Sequence, residues 1–265
     1  MSAVDLAVDL HVEAAGEAGS NVIILHGLFG QARNWAGIAR ALGAEHRVLA
    51  ADQRNHGASP WADEMTYEAM AADAARLIET RATAPVALIG HSMGGKAAMV
   101  LALTRPELID RIAVLDIAPV PYGHDFEAHL AAMANIDVAS LSRRAEAETA
   151  LLDALGDINL ARFLVRNLKS DPEHGGFTWS VNLDALATHM EDILDFPVFE
   201  ADAAYEGTAL FLAGGASDYV QPHHQAEIER LFPAAETEVV DGAGHWLHAE
   251  KPDLVTERLR AFLSE

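Results

Sequence analysis

The stretch Val86-Ala87-Leu88-Ile89-Gly90-His91-Ser92-Met93-Gly94-Gly95-Lys96-Ala97-Ala98-Met99 decides the fold. An apolar run of β-forming residues meets Gly-His-Ser-Met-Gly, and an Ala- and Met-rich helical pattern follows at once. This is G-x-S-x-G in a strand–turn–helix setting, which holds a serine at a tight, strained turn with its hydroxyl clear of the sheet. Gly90 and Gly94 flank the serine because a Cβ at either place would collide with the neighbouring strand or helix. Gly95 gives the helix room to approach the sheet. The competing reading is a Gly-rich connection that happens to contain a serine. Partners farther along the chain decide between the two.

Working outward, Val4 to Ala14 alternates apolar and polar residues, as a half-exposed strand does. Asn21 to Leu25 and Arg47 to Ala51 are short apolar runs that suit strands buried on both faces. Helical patterns cover Arg33 to Leu42 and Thr66 to Arg81, with Thr66 as N-cap. Pro106 ends the helix after Ser92, and Arg111 to Ile117 is the next strand. From Tyr122 to about Glu206 the alternation stops. This block shows no strand pattern, only helical stretches at Ala145–Leu155, Asn159–Leu168 and Val181–Leu194. Strands at Ala209–Ala213 and Thr237–Val240 then resume, with helices at Gln225–Leu231 and Asp253–Leu263. The pattern predicts an α/β fold, a mostly parallel sheet with helices on both faces, interrupted by a helical cap. Residues 1–121 and 207–265 form the core, and 122–206 the insertion. Ser92, Asp116, Asp218 and the His26-Gly27 turn all fall at the C-terminal ends of strands, where active groups gather in such folds.

The chain has 265 residues, half of them apolar, and a formal net charge of -22. It is long enough for a substantial core. A phosphate backbone or an anionic membrane surface would repel that charge, so neither nucleic acid nor membrane is expected as a partner. No cysteine is present, which removes disulfides, thiolate metal sites and a cysteine nucleophile. Residues Met1 to Leu10 carry two Asp and no basic residue or long apolar segment, unlike a signal peptide, so a cytoplasmic location is expected. The adjacent His223 and His224 do not converge on one ion at a helix start, and no metal or other cofactor is expected.

Six motifs in order, together spanning nearly the whole chain, resemble the α/β-hydrolases, and more narrowly the YbfF-type bacterial esterases and their mitochondrial abhydrolase relatives. They are His26-Gly27-Leu28-Phe29-Gly30, the Asp52–Ser59 segment with Arg54-Asn55-His56-Gly57, Gly90–Lys96, Leu115-Asp116-Ile117-Ala118-Pro119-Val120, Ala213-Gly214-Gly215 and Gly242–His248. The resemblance implies an α/β-hydrolase fold and a cofactor-independent serine carboxylesterase or thioesterase. Its substrate would be a small acyl ester or thioester, and it would be a monomer or a small homo-oligomer.

In this fold the catalytic residues follow the chain order nucleophile, acid, base. Ser92 is the nucleophile. Among thirteen histidines, His245 suits the base, because Gly242 and Gly244 let its loop fold back over the serine. His91 and His248 suit structural roles. The oxyanion requires two backbone N–H groups, expected from Met93 and from Leu28, with Phe29 as second choice. Two acids are available. The general fold points to Asp218, whereas the YbfF-type branch points to Asp116 with Ser217 as an auxiliary member, and the full Leu-Asp-Ile-Ala-Pro-Val match favours Asp116. Asp52 suits a turn-stabilising role. Phe29, Phe163, Trp179 and Leu183 are candidate substrate contacts. Two other readings remain: a C–C hydrolase or lyase on the same scaffold, and a hydrolase-fold ligand sensor with little turnover.

Overall fold

In the computed structural model, which describes residues 7–123 and 126–264, the continuously apolar runs become the strands that carry the site. In chain order the first elements are β1 (Val12–Ala15), β2 (Asn21–Leu25), α1 (Ala36–Leu42), β3 (Arg47–Ala51) and α2 (Tyr67–Arg81). β4 (Val86–His91), α3 (Met93–Thr104) and β5 (Ile109–Leu115) follow. The chain then leaves the sheet for α4 (Glu127–Ala134), α5 (Arg144–Leu155), α6 (Ile158–Leu164), β6 (Leu168–Ser170), β7 (Phe177–Trp179), α7 (Leu183–Thr188) and α8 (Met190–Leu194). It returns with β8 (Thr208–Gly214), α9 (Gln225–Leu231), β9 (Ala235–Val240), α10 (Leu247–Glu250) and α11 (Pro252–Ser264).

Among the described residues, seven strands form the main sheet in the order β1-β3-β2-β4-β5-β8-β9. All neighbours are parallel except the β1–β3 pair. β4 lies between β2 and β5 and is buried at all six positions, so it can be apolar on both faces. One apolar cluster joins α2 and α3 to one face of the sheet, and a second joins α1 and α11 to the other. Thr66 caps α2, its Oγ1 accepting the Ala69 N–H at 3.4 Å. This architecture aligns the ends of β2, β4, β5 and β8 along one edge of the sheet.

Four expectations need correction. The first strand is Val12–Ala15 rather than Val4 to Ala14, and residues 4–6 of the expected span lie outside the described residues. The block after β5 does contain strands: β6 and β7 pair antiparallel, Leu168 opposite Trp179 and Ser170 opposite Phe177. Three-residue strands are too short for a period-two pattern to register. The helix expected over Val181–Leu194 is two helices. Asn182 starts α7 by accepting the Ala185 N–H at 3.2 Å, and His189, at φ -107 and ψ 19, divides α7 from α8. Likewise α6 stops at Leu164 and passes into a tight 3₁₀ turn, Val165–Asn167.

Candidate active site

Ser92 sits between β4 and α3 with φ 52 and ψ -122. L-residues avoid this backbone region, which costs about 1–3 kcal/mol and persists only where the surroundings impose it. Here the glycines impose it. A Cβ on Gly90 would strike the Gly94 carbonyl, and one on Gly94 would strike the carbonyls of Leu25 and His26. Asp116, just past β5, is also held at positive φ, 50°. That turns its side chain along the edge of the sheet toward β8.

The structure brings Ser92, His245 and Asp116 into one relay. His245 Nε2 lies 3.0 Å from Ser92 Oγ, and His245 Nδ1 lies 2.8 Å from Asp116 Oδ2. A carboxylate only accepts, so Nδ1 carries the proton and Nε2 presents its lone pair to the serine. Asp116 is 0% exposed and accepts two further bonds, from Gly214 N–H at 2.8 Å and from the Ser217 hydroxyl at 2.5 Å. Asp218, the other candidate acid, is exposed in the same loop, and no bond joins it to His245 among the described residues. The bond from Ser217 instead fixes Asp116.

His245 is held from both sides. The Tyr219 ring stacks on it at 3.8 Å with an interplanar angle of 15°. From the other side, His91 Nε2–H donates to the His245 carbonyl at 2.8 Å. Burial, with His248 and His245 close by, keeps the His91 imidazole well below the usual histidine range and therefore neutral. His248 stacks on Trp35 at 4.5 Å, and burial pushes it down to about 3. His91 and His248 pack against each other beside the His245 loop.

The loop after β2 is set by two histidines whose roles were not legible in the sequence. His26 Nδ1–H donates to the Gly27 carbonyl at 2.8 Å, while its Nε2 accepts the Gln53 N–H at 3.0 Å. His56 Nδ1–H donates to the Arg54 carbonyl at 2.9 Å, and its Nε2 accepts the Phe29 N–H at 3.2 Å. Burial lowers both, His56 to about 3, so each remains an acceptor at neutral pH. The Phe29 amide is thereby committed, which corrects its candidacy for the oxyanion. The Leu28 amide has no acceptor among the described residues. The Met93 amide opens α3 and so has no intrahelical partner. Asp52 does hold turns, accepting the Ala32 and Ala58 N–H groups at 2.7 and 2.8 Å.

A cavity of about 210 Å³ opens on Ser92 and His245. Phe29 and Phe163 line it, together with Trp35, Leu160 and Trp246. Trp179 and Leu183 do not. Trp179 is occupied in the β6–β7 ribbon and Leu183 opens α7, both packed against the main core. The sequence also gave no sign that Asn167 reaches the loop after β2. Its side-chain amide donates to the Phe29 carbonyl at 2.9 Å and its oxygen accepts from Gln31 at 2.6 Å. Among the described residues, no group of three His, Asp or Glu side chains is placed to hold a metal ion.

The sheet order, the strained serine and the late histidine are those of an α/β-hydrolase. The α/β hydrolase fold family matches this chain over residues 21–252, and the chain belongs to that family. Its relatives include the sn-1-specific diacylglycerol lipase ABHD11 of Xenopus tropicalis, 43% identical over 258 residues covering 94% of this chain and 78% of the relative. Esterase YbfF of Escherichia coli is 34% identical over 249 residues, covering 93% of this chain and 94% of the relative. Among solved structures, a marine microorganism esterase superimposes with a TM-score of 0.93 at 36% identity, covering 97% of this chain and 100% of that one.

Proposed function

We propose that this protein is a serine hydrolase that cleaves small carboxylic esters through an acyl-enzyme on Ser92. The observation that carries this reading is the relay from Ser92 Oγ through His245 to Asp116, at 3.0 and 2.8 Å. His245 Nε2 takes the serine proton as Oγ attacks the acyl carbon, and Asp116 stabilises the imidazolium that forms. The N–H groups of Met93 and Leu28 receive the oxyanion. His245 then gives the proton to the departing alcohol oxygen. Water, activated by the same imidazole, attacks the acyl-enzyme and releases the acid. The relatives' names, esterase and diacylglycerol lipase, support an ester as the bond cleaved.

Residues 122–206 act as a cap. Phe126, His129, Leu160 and Phe163 come from that block and line the cavity over Ser92. Labelling the folded protein with a fluorophosphonate tests the nucleophile. Ser92 takes the label and Ser92→Ala does not; an unlabelled Ser92 in protein that hydrolyses esters overturns the assignment.

A further inference from the structure

Two cavities of very different size meet at Ser92. The larger, about 210 Å³, is lined by His245 and by aromatic side chains, among them Trp35, Phe163 and Trp246. The smaller, about 20 Å³, is lined by Met93, Lys96, Ile117, Tyr122, Ile193 and Leu194. Both are bordered by Leu28, Ser92, Phe126 and Tyr219, so the nucleophile stands where they join.

Chemistry decides which half of an ester enters which cavity. The departing alcohol oxygen must receive its proton from His245 Nε2. His245 borders the larger cavity and not the smaller, so the alcohol lies in the larger one. The acyl chain, bonded to the same carbon, is left with the smaller one, beside the Met93 amide that would hold its oxygen. A water-sized group needs roughly 10–15 Å³ by this measure. The smaller cavity, at about 20 Å³, therefore admits about one methyl group, or two at most.

The wall that limits the small cavity is tied down. Tyr67 Oη donates to the Ile193 carbonyl at 2.6 Å, and the Tyr122 N–H donates to the Leu194 carbonyl at 2.9 Å. Lys96 Nζ donates to the carbonyls of Leu194 and Asp195 at 2.9 and 2.6 Å. The Tyr67 and Lys96 side chains come from α2 and α3 and are buried, so the end of α8 is fastened to the sheet-bound helices. A longer acyl chain would have to displace this segment and strip several buried and half-buried hydrogen bonds at once.

We propose that the preferred substrates are acetates and propionates of larger apolar alcohols, with the acyl group in the Lys96–Ile193 cavity and the alcohol in the aromatic one. This rests on the reading of Ser92 and His245 given above.

Hexyl acetate and ethyl hexanoate test it cleanly. They are isomers with similar overall hydrophobicity and similar alcohol leaving groups, and they differ in which side of the ester carries the long chain. Hexyl acetate is expected to give a kcat/KM at least about tenfold higher, the scale on which a pocket rejects surplus methylenes. Equal rates, or a preference for ethyl hexanoate, overturn the proposal. Ile193→Ala widens the small cavity and should reduce the hexyl acetate preference at least about fivefold. An unchanged ratio in a variant that still takes the fluorophosphonate label also overturns it. Labelling separates the two levels. If Ser92 reacts but the long acyl isomer is preferred, only the cavity assignment fails. If Ser92 does not react, the serine mechanism fails and takes this proposal with it.

Discussion

Replacing Asp116 by Asn changes one atom and tests the whole relay. Three donors aim at this carboxylate: Gly214 N–H at Oδ1, and the Ser217 hydroxyl and His245 Nδ1–H at Oδ2. An asparagine can place its NH₂ group at either oxygen position. At the Oδ1 position it faces the Gly214 N–H, two donors against each other in a site with 0% exposure. An unpaired buried donor costs about 1–3 kcal/mol. At the Oδ2 position the NH₂ donates into His245 Nδ1, and the Ser217 hydroxyl can rotate to accept. That arrangement is the cheaper one, but it moves the imidazole proton to Nε2, where His245 can no longer accept from Ser92. The expected loss in kcat/KM is roughly 10³ to 10⁴-fold, or about 4 to 5.5 kcal/mol of transition-state stabilisation. The assay is p-nitrophenyl acetate hydrolysis at pH 7, with enzyme concentration fixed by fluorophosphonate titration. Asp218→Asn, altering an exposed group with no bond to His245, should stay within about twofold. A loss below tenfold in Asp116→Asn, or one of 10³ in Asp218→Asn, would refute the reasoning.

Ser217→Ala removes one of three bonds to Asp116 and should lower kcat/KM about tenfold while Ser92 still labels, since a hydrogen bond to a charged group is worth about 1.5–3 kcal/mol. Unchanged turnover would show that Gly214 and His245 hold the carboxylate alone. Acid should destabilise the fold well above the carboxylate range. His56 and His248 are pushed down to about 3 by burial, so the unfolded chain binds protons below about pH 6.5 that the native state refuses. Stability therefore falls as pH drops from about 6.5 toward 3, by about 2 kcal/mol per group at pH 5. Urea titrations at pH 7 and pH 5 measure this, and His248→Phe should make the slope shallower; a flat profile contradicts it. Gly94→Ala drives a Cβ into the Leu25 and His26 carbonyls, rigid backbone that cannot yield. It should cost about 4 kcal/mol or prevent folding, and a melting temperature within a degree or two of the parent would be inconsistent with that contact.

What could be read in the sequence is what a few adjacent residues decide sterically. Gly90-His91-Ser92-Met93-Gly94 is legible because the crowding that shapes it comes from its own turn and from β2, the strand beside β4. Position alone does not choose between the two candidate acids, since Asp116 and Asp218 both follow strands. What separates them is the positive φ of Asp116 and the β5–β8 pairing that brings the Gly214 amide and Ser217 to it. These are relations across about a hundred residues, which no local pattern carries. Trp179 and Leu183 stood as substrate contacts because an apolar residue in a helical block looks the same facing a ligand or a core. The β6–β7 ribbon and the Asn182 cap turn them toward the core.

The histidines show why residue type alone could not locate the site. His26, His56 and His91 each donate from one ring nitrogen to a backbone carbonyl. Burial holds all three neutral, so they serve as shaped, uncharged brackets for the loops that meet at Ser92. His245 has the same ring, yet side chains engage both of its nitrogens, a carboxylate at Nδ1 and a hydroxyl at Nε2. A proton arriving at Nε2 meets the Asp116 charge across the ring, whereas one arriving at His26 or His56 would break a bond to a backbone N–H. In the proposed mechanism the same imidazole is a proton carrier at His245, whereas it is a fixed acceptor of a backbone N–H at His26 and His56. The brackets at His26 and His56 hold because burial keeps both rings neutral.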